Sequence, residues 1–331
     1  MTGATSEPPG PRVVALGGGH GLAASLSALR RITDQLTAIV TVADDGGSSG
    51  RLRDEFGCLP PGDLRMALAA LCGDDDWGRL WSRVVQHRFS GQGPLHGHAV
   101  GNLLIVALWQ LLDDSVAGLD QVGQLLGAHG RVLPASLDPI DIEADVAFPA
   151  PAGSSSTAPE LCRIRGQAEV ATTTGRVVGI HLDPTEPRAT PEAIKAVLEA
   201  DWLVLGPGSW FTSVIPHLLV PELAAAITAT AARTIVALNL TAQPGETAGF
   251  APEQHLEVLS AHAPELVIDV VLADSAAVSD PASLASVAKT LGAQVVLAPL
   301  GSPDGRPAHD PELFAAAFDS IVRRGRIAPW R

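Results

Sequence analysis

Short apolar runs alternate along the chain with stretches in which leucine and alanine recur every third or fourth position. Residues 13–16 (VVAL) are apolar throughout, and in the LAASLSALRRI that follows, Leu22, Leu26 and Leu29 fall on one helical face. The same pairing returns down the chain. Apolar runs at 36–43, 201–205, 234–240, 266–272 and 294–298 predict strands, and helical spacing predicts helices over 60–72, 190–200, 252–262 and 281–291. Continuous apolar runs belong to strands covered on both faces, and strands separated by helices pair in parallel. The pattern therefore predicts an α/β fold: a Rossmann-like, doubly wound, mostly parallel sheet with helices on both faces.

The alternation lapses in the middle of the chain. Residues 130–145 mix short apolar pieces with prolines, 146–160 (VAFPAPAGSSSTAPE) read as a mobile surface loop, and 161–182 are rich in valine and threonine, with Gly166 and Gly175 at turns. A single domain over 12–331 is expected, with a small β-rich insertion around 140–185 and a disordered tail at 1–11.

Composition narrows the function. At 331 residues, 46% hydrophobic and 18% charged, the chain can bury a large core. Its apolar runs, such as 103–109, stop short of the ~18 residues a membrane span needs. The opening MTGATSEPPGP has neither the basic nor the apolar region of a signal peptide, so a cytoplasmic protein without a membrane span is expected. Cys58, Cys72 and Cys162 are odd in number and lack CxxC spacing, which predicts core thiols. A net charge of −14 leaves no footprint for nucleic acid and favours a small metabolite, with Arg51 and Arg53 as local basic spots.

The candidate chemistry gathers where the predicted strands end. After the first strand, GGGHG places Gly17, Gly18, Gly19, His20 and Gly21 before a helix, where backbone N–H groups suit a pyrophosphate. The spacing departs from GxGxxG and no Walker lysine follows, which argues against NAD and against a P-loop. The second strand delivers TVADDGGSSGRLRDEFG (41–57), read as a glycine-rich loop. There Asp44 and Asp45 could contact ribose or base, bind Mg²⁺ or cap a turn, while Ser48, Ser49, Arg51 and Arg53 are donors for phosphate. In PPGDLR, Asp63 suits a helix N-cap and Arg65 the first turn, facing either ligand or solvent. His96 and His98 lack a third ligand nearby, so no metal site is assigned. Asn102, at the predicted start of a helix, could cap it or reach a ligand.

Two later strand ends repeat this logic. GPGSWFTS carries Gly206, Pro207, Gly208, Ser209, Thr212 and Ser213, a second candidate phosphate or substrate loop. Asn239 ends the next strand, and Thr241, Gln243, Glu246 and Thr247 supply donors and acceptors suited to a base or sugar hydroxyls. Loops from neighbouring strand ends of one parallel sheet would face a shared crevice.

Taken in order, GGGHGLAASLSALR, ITDQLTAIVTVADDGGSSGRLRDEFGCLPPGDLRMALAAL, GHAVGNLLIVAL, RVLPASLDPIDIEADV and GPGSWFTSVIPHLLVPEL resemble the bacterial gluconeogenesis factor family (YvcK-like) of the CofD-like superfamily. The resemblance runs from about Val13 to beyond Phe250. It implies a Rossmann-like domain that binds UDP-activated sugars, chiefly UDP-N-acetylglucosamine and UDP-glucose, with no required cofactor. It also implies a regulatory role in cell shape and peptidoglycan synthesis under gluconeogenic growth. The residues that would line the nucleotide-sugar crevice are the first glycine loop, Asp44, Asp45, Asn102 and the GPGSWFTS loop. His20 stands where many members have Thr in GGGTG, and Met66 where many have Asn after PPGDxR. A homodimer and cell-wall synthesis partners follow from the resemblance alone, and it assigns no catalytic residue. The superfamily's enzymatic branch implies an alternative, a Mg²⁺-dependent transferase that moves a phospho-lactyl or phospho-enolpyruvyl group from a nucleotide diphosphate to a deazaflavin. An NAD-dependent oxidoreductase is a weaker third reading.

Overall fold

The structure, a computed structural model, describes residues 10–149, 159–243 and 245–327. The expected tail at 1–9 and the centre of the expected mobile loop, 150–158, lie outside the described residues. Gly10 and Pro11, assigned above to the tail, belong to the fold: their carbonyls accept hydrogen bonds from Gln35 Nε2 and Thr33 Oγ1.

The chain runs β1 (Val13–Gly17), α1 (Gly19–Leu29) and β2 (Leu36–Val40), then crosses through helices α2 (Gly47–Phe56), α3 (Gly62–Ala70), α4 (Asp76–Gln86), α5 (Val100–Leu112) and α6 (Ser115–Leu126) to β3 (Arg131–Pro134). An excursion follows, made of β4 (Asp141–Phe148), β5 (Glu160–Arg165), α7 (Gln167–Thr172) and β6 (Arg176–Asp183). The chain then returns through α8 (Pro191–Glu199), β7 (Trp202–Leu205), a π-helical turn (Trp210–Val214), α9 (Pro216–Leu219), α10 (Pro221–Ala229) and β8 (Arg233–Ala237). It finishes with α11 (Pro252–His262), β9 (Val270–Asp274), α12 (Pro281–Thr290), β10 (Gln294–Ala298) and α13 (Pro311–Ile327).

Among the described residues the main sheet has the order β10-β9-β8-β7-β1-β2-β3, and its paired strands are parallel. From β1 the chain winds outward through β2 to β3, and from β7 it winds the other way through β8 to β10. The winding reverses between β1 and β7, which pair from Val13↔Trp202 to Leu16↔Leu205. A parallel sheet opens a crevice at the carboxyl ends of the strands where that reversal occurs.

Burial explains the apolar runs. Every residue of β1 and β7 is buried, as strands covered on both faces require. The predicted face of α1, Leu22, Leu26 and Leu29, is buried as well, and each such leucine contributes about 2 kcal/mol. Helix α13 packs against α1, and its Phe318 meets Trp202 edge-on with centroids 6.3 Å apart.

Several expectations shift. The glycine-rich loop at 41–57 is largely the helix α2, closed by Gly57 in the left-handed conformation. The strand expected over 36–43 ends at Val40, after which the chain turns toward the crevice. The run 130–145 contains the edge strand β3, and the valine- and threonine-rich segment holds α7 between two strands. The small sheet, in the order β5-β4-β6, is antiparallel. Of the expected core thiols only Cys72 is buried; Cys162 lies on β5, an edge strand with much of its length exposed, and Cys58 is half-buried.

Candidate functional site

The loops that leave β1 and β7 meet at the reversal. Gly17 ends β1, Gly18 is the N-cap and Gly19, His20 and Gly21 open α1, so GGGHG is a strand-to-helix junction and not a free loop, and the first turn carries no acidic residue of its own. Its Gly19 N–H already meets the Asp63 carboxylate, at a helix end that favours anions. Gly21 is required by the close approach of backbone. A Cβ on Gly21 would lie 2.3 Å from the Pro207 carbonyl oxygen and 2.5 Å from the Gly208 Cα. A Cβ on Gly18 would meet movable side-chain ends, Asp63 Oδ2 at 2.6 Å and Ser213 Oγ at 3.2 Å, so the backbone contact is the one at Gly21. Backbone therefore packs on backbone across the floor of the crevice.

The β7 loop is held from behind by the residues after β8. Gly208 donates its N–H to Asn239 Oδ1 at 2.8 Å, and Asn239 Nδ2 donates to the Gly208 carbonyl at 2.7 Å. The Glu246 carboxylate accepts from Ser209 Oγ, from Thr212 Oγ1 at 2.8 Å and from the Phe211 N–H at 3.3 Å. Burial pushes the Glu246 carboxyl above the usual range, against these hydrogen bonds, which hold it down. Thr247, fully buried, accepts the Gln243 N–H at 2.9 Å. Glu246 and Thr247 thus shape the loops from outside the cavity, while Asn239 and Gln243 line it.

The two adjacent acids point to different places. Asp44 lines the crevice and accepts the Gly46 N–H at 3.0 Å. Asp45 accepts the Ala168 N–H at 3.0 Å, at the start of α7, and so ties the β-rich excursion to the main sheet. The partner of Asp44 in the crevice is Asp63, on the first turn of α3, where Pro61 and not Asp63 holds the N-cap position. Burial, then the neighbouring Asp44 charge, pushes the Asp63 carboxyl up to about 7, while the Gly19 N–H and Arg65 pull the other way.

Behind this acidic floor lies a buried polar chain. Arg65 Nε donates to Asn102 Oδ1 at 2.9 Å, Asn102 Nδ2 donates to Ser48 Oγ at 3.0 Å, and Ser48 Oγ lies 3.0 Å from His98 Nδ1. Asn102 sits inside α5, whose N-cap is Ala99, so it neither caps the helix nor lines the crevice. Burial, then Arg88, lowers the Arg65 guanidinium to about 10. Ser49 is buried beside Gly62. The expected phosphate donors face elsewhere: Arg51 Nη2 bonds the His96 carbonyl at 2.7 Å, and Arg53 Nη2 pairs with Asp141 at 2.6 Å.

Of the residues singled out in the sequence, the crevice brings together Gly18, Gly19, His20 and Gly21 from the first loop and Pro207, Gly208, Ser209, Thr212 and Ser213 from the second. Asp44, Asn239, Thr241 and Gln243 join them. Gly17, Asp45, Ser48, Ser49, Arg51, Asn102, Gly206, Glu246 and Thr247 do not line it. The cavity measures about 420 Å³, enough for part of a nucleotide. Gln167, Ala168 and Ala171 of α7 and the Pro307–Ala308–His309 segment before α13 close its rim, and sequence reasoning missed both groups. Burial lowers the His309 pKa, and its Nε2 is buried without a hydrogen-bond partner. Asp63 carried a signal, an acid in a Pro-Pro-Gly-Asp turn, whereas nothing local marks the other two groups.

No lysine or arginine lines this crevice among the described residues, and none of them form a group of three or more His, Cys, Asp or Glu placed to hold a metal ion. No described helix is long and apolar enough to cross a membrane.

Comparison with known proteins places this geometry. The family described as 2-phospho-L-lactate transferase CofD matches residues 13–297. A Mycobacterium tuberculosis protein that carries the name gluconeogenesis factor is 52% identical over 316 residues, 94% of this chain and 90% of the relative. The gluconeogenesis factor of Listeria monocytogenes is 38% identical over 271 residues, 81% of this chain and 79% of its own. A crystal structure of a UPF0052-family protein from Bacillus halodurans superimposes with a TM-score of 0.81 at 30% identity, covering 94% of this chain and 99% of that one. The chain belongs to the CofD family, among relatives named gluconeogenesis factors.

Proposed function

We propose that the crevice binds a UDP-activated sugar, UDP-N-acetylglucosamine or UDP-glucose, and that the protein is a binding and regulatory protein. The observation that carries this reading is the contact of two glycine loops at the sheet reversal, Gly21 against Pro207 and Gly208, beside the start of α1. Such a floor presents backbone N–H groups to a diphosphate. The amides and hydroxyls of Asn239, Gln243, Ser209 and Thr212 suit the sugar and base. The relatives' name supports a role in gluconeogenic growth. Coupling of crevice occupancy to cell shape and peptidoglycan synthesis is part of the same proposal.

With no basic side chain on the wall, the diphosphate charge needs another counterion. Asp44 and Asp63 fit Mg²⁺: both are hard oxygen donors, and Asp63 is pushed up by burial and by Asp44, a conflict that a divalent cation would relieve. When bound, Mg²⁺ would supply charge neutralisation for the diphosphate, with phosphate oxygens and water completing its ligands. Isothermal titration with each UDP-sugar, with and without Mg²⁺, tests the reading. Saturable heat that disappears in Gly21→Val supports it, and no heat with any UDP-sugar in the presence of Mg²⁺ refutes it.

The same acid pair favours a second reading, the Mg²⁺-dependent transfer of a phospho-lactyl or phospho-enolpyruvyl group to a deazaflavin, because phosphoryl chemistry is catalysed largely by positioning and charge neutralisation. Product formation from a nucleotide-diphosphate donor and a deazaflavin acceptor, lost in Asp44→Asn, would establish it.

A further inference from the structure

We propose that the groove between α1, α3 and α4 is a second anion site, which takes a small phosphate ester independently of the nucleotide crevice. The groove measures about 490 Å³ and is lined by Arg30, Arg79 and Arg83 against one carboxylate, Asp74. Asp75 and Asp76 stand at its margin, Asp75 accepting the Gly78 N–H and Asp76 pairing with Arg79, so the charge that remains for a ligand is that of Arg83 and the unpaired edge of Arg30. The groove adjoins the crevice: Ala24 of α1 lines both.

The three arginines are unequally committed. Arg30 is largely buried, and its Nη2 holds Asp74 at 2.6 Å, yet its Nε is buried without a hydrogen-bond partner. A buried donor left unpaired is unfavourable, and a phosphoryl oxygen with a small shift of the guanidinium would supply the missing acceptor. Arg79 pairs with Asp76 on its own helix at 2.6 Å and donates through Nη1 to the Asp74 carbonyl, exposed contacts that contribute little. Arg83, one turn further along α4, has no ion pair among the described residues. Residues four apart on a helix share a face, so Arg79 and Arg83 flank one place across from Arg30.

The remaining lining selects the ligand class. Ala69, Ala70 and Met66 give an apolar side against which a short carbon skeleton can lie. The hydroxyls of Ser27 and Ser82 are already bonded to the carbonyls of Ala23 and Ala69, so they do not compete for it. The planar arginine fork matches the paired oxygens of a phosphate, which it can bind through two parallel N–H···O bonds. Because α1 forms a wall of this groove and its first turn forms the crevice floor, an anion here touches the same rigid element as the nucleotide-sugar.

The test uses the full chain and inorganic pyrophosphate as probe, titrated calorimetrically with UDP-N-acetylglucosamine present in excess. One saturable pyrophosphate step is expected, weakened by at least about tenfold in Arg83→Glu and unchanged in Arg323→Glu, an exposed charge reversal on α13. Arg83 is exposed, so the variant is expected to fold, which its circular dichroism and unfolding midpoint verify. No step in the wild type, an equal step in Arg83→Glu, equal loss in Arg323→Glu, or displacement by the UDP-sugar would each overturn the second site. The Arg83-dependent step is also readable without UDP-sugar, so failure of the crevice reading is a separate outcome.

Discussion

Asp63 is an acid that the fold holds at a cost, and Asp63→Asn measures it. The carboxyl titrates near 3.8 when free and is pushed up to about 7 in the folded chain. Between those values the folded state holds a proton that the unfolded state has released, so stability declines as pH rises from about 3.8 to about 7 and is flat above. At roughly 1.4 kcal/mol per pH unit the whole decline is about 4 kcal/mol. That figure is a ceiling, because the half-buried side chain opens on crevice water. Asparagine keeps an acceptor for the Gly19 N–H and removes the charge beside Asp44. The assay is urea unfolding followed by tryptophan fluorescence, at about pH 5.5 and about pH 8.5. The advantage of Asp63→Asn over the wild type should grow by about 1–2 kcal/mol between the two, while Mg²⁺-dependent UDP-sugar binding falls. An advantage that is the same at both pH values would refute the perturbed carboxyl, and with it the argument that the acid pair is there for a cation.

Three further predictions rest on other contacts. Gly21→Ala should weaken UDP-N-acetylglucosamine binding by about tenfold or more in isothermal titration, since its Cβ has only 2.3 Å to the Pro207 carbonyl and the two loops must part. Asp45→Ala, which frees the first turn of α7 without touching the cavity, should weaken binding by a smaller factor and speed proteolysis of the excursion. His217 is fully buried between the Ile39 and Val214 carbonyls, and burial lowers it to about 4. The unfolded state therefore gains the proton first, and stability present above about pH 6.5 is lost as pH falls toward about 4, by about 3 kcal/mol. In His217→Gln that slope should flatten in urea unfolding across the same range.

The main sheet was legible because its evidence is local. A run such as VVAL must be buried on both faces, and leucines at helical spacing must face it, so β1 and α1 follow from a few residues. The glycine loops were legible for the same reason, since a strand followed at once by GGGHG or GPGS leaves few alternatives. The direction of side chains was not legible. Arg51 and Arg53 look like phosphate donors in sequence, but α2 turns them toward the His96 carbonyl and Asp141. Asn102 reads as a cap, yet its place is decided by Arg65, 37 residues away. Gln167 and His309 reach the crevice through elements that carry no motif, and only the tertiary path of the chain brings them there.

The adjacent acids show why sequence proximity misleads at such a site. Along a non-helical stretch, neighbouring side chains diverge, so Asp44 and Asp45 cannot both face one ligand. The fold uses the divergence. Asp44 turns into the cavity and finds its partner in Asp63, while Asp45 turns outward and caps α7 across 123 residues of chain. Arg53, further along the same segment, pairs with Asp141 at the start of β4. Two ties from one stretch thus clamp the β-rich excursion, and the excursion in turn supplies Gln167, Ala168 and Ala171 to the rim. The stretch between β2 and α3 is accordingly a wall on one side and a hinge post on the other. The crevice wall at Asp44 and the position of the rim are set by consecutive residues, so any shift of Asp44 bears directly on how closely α7 covers the crevice.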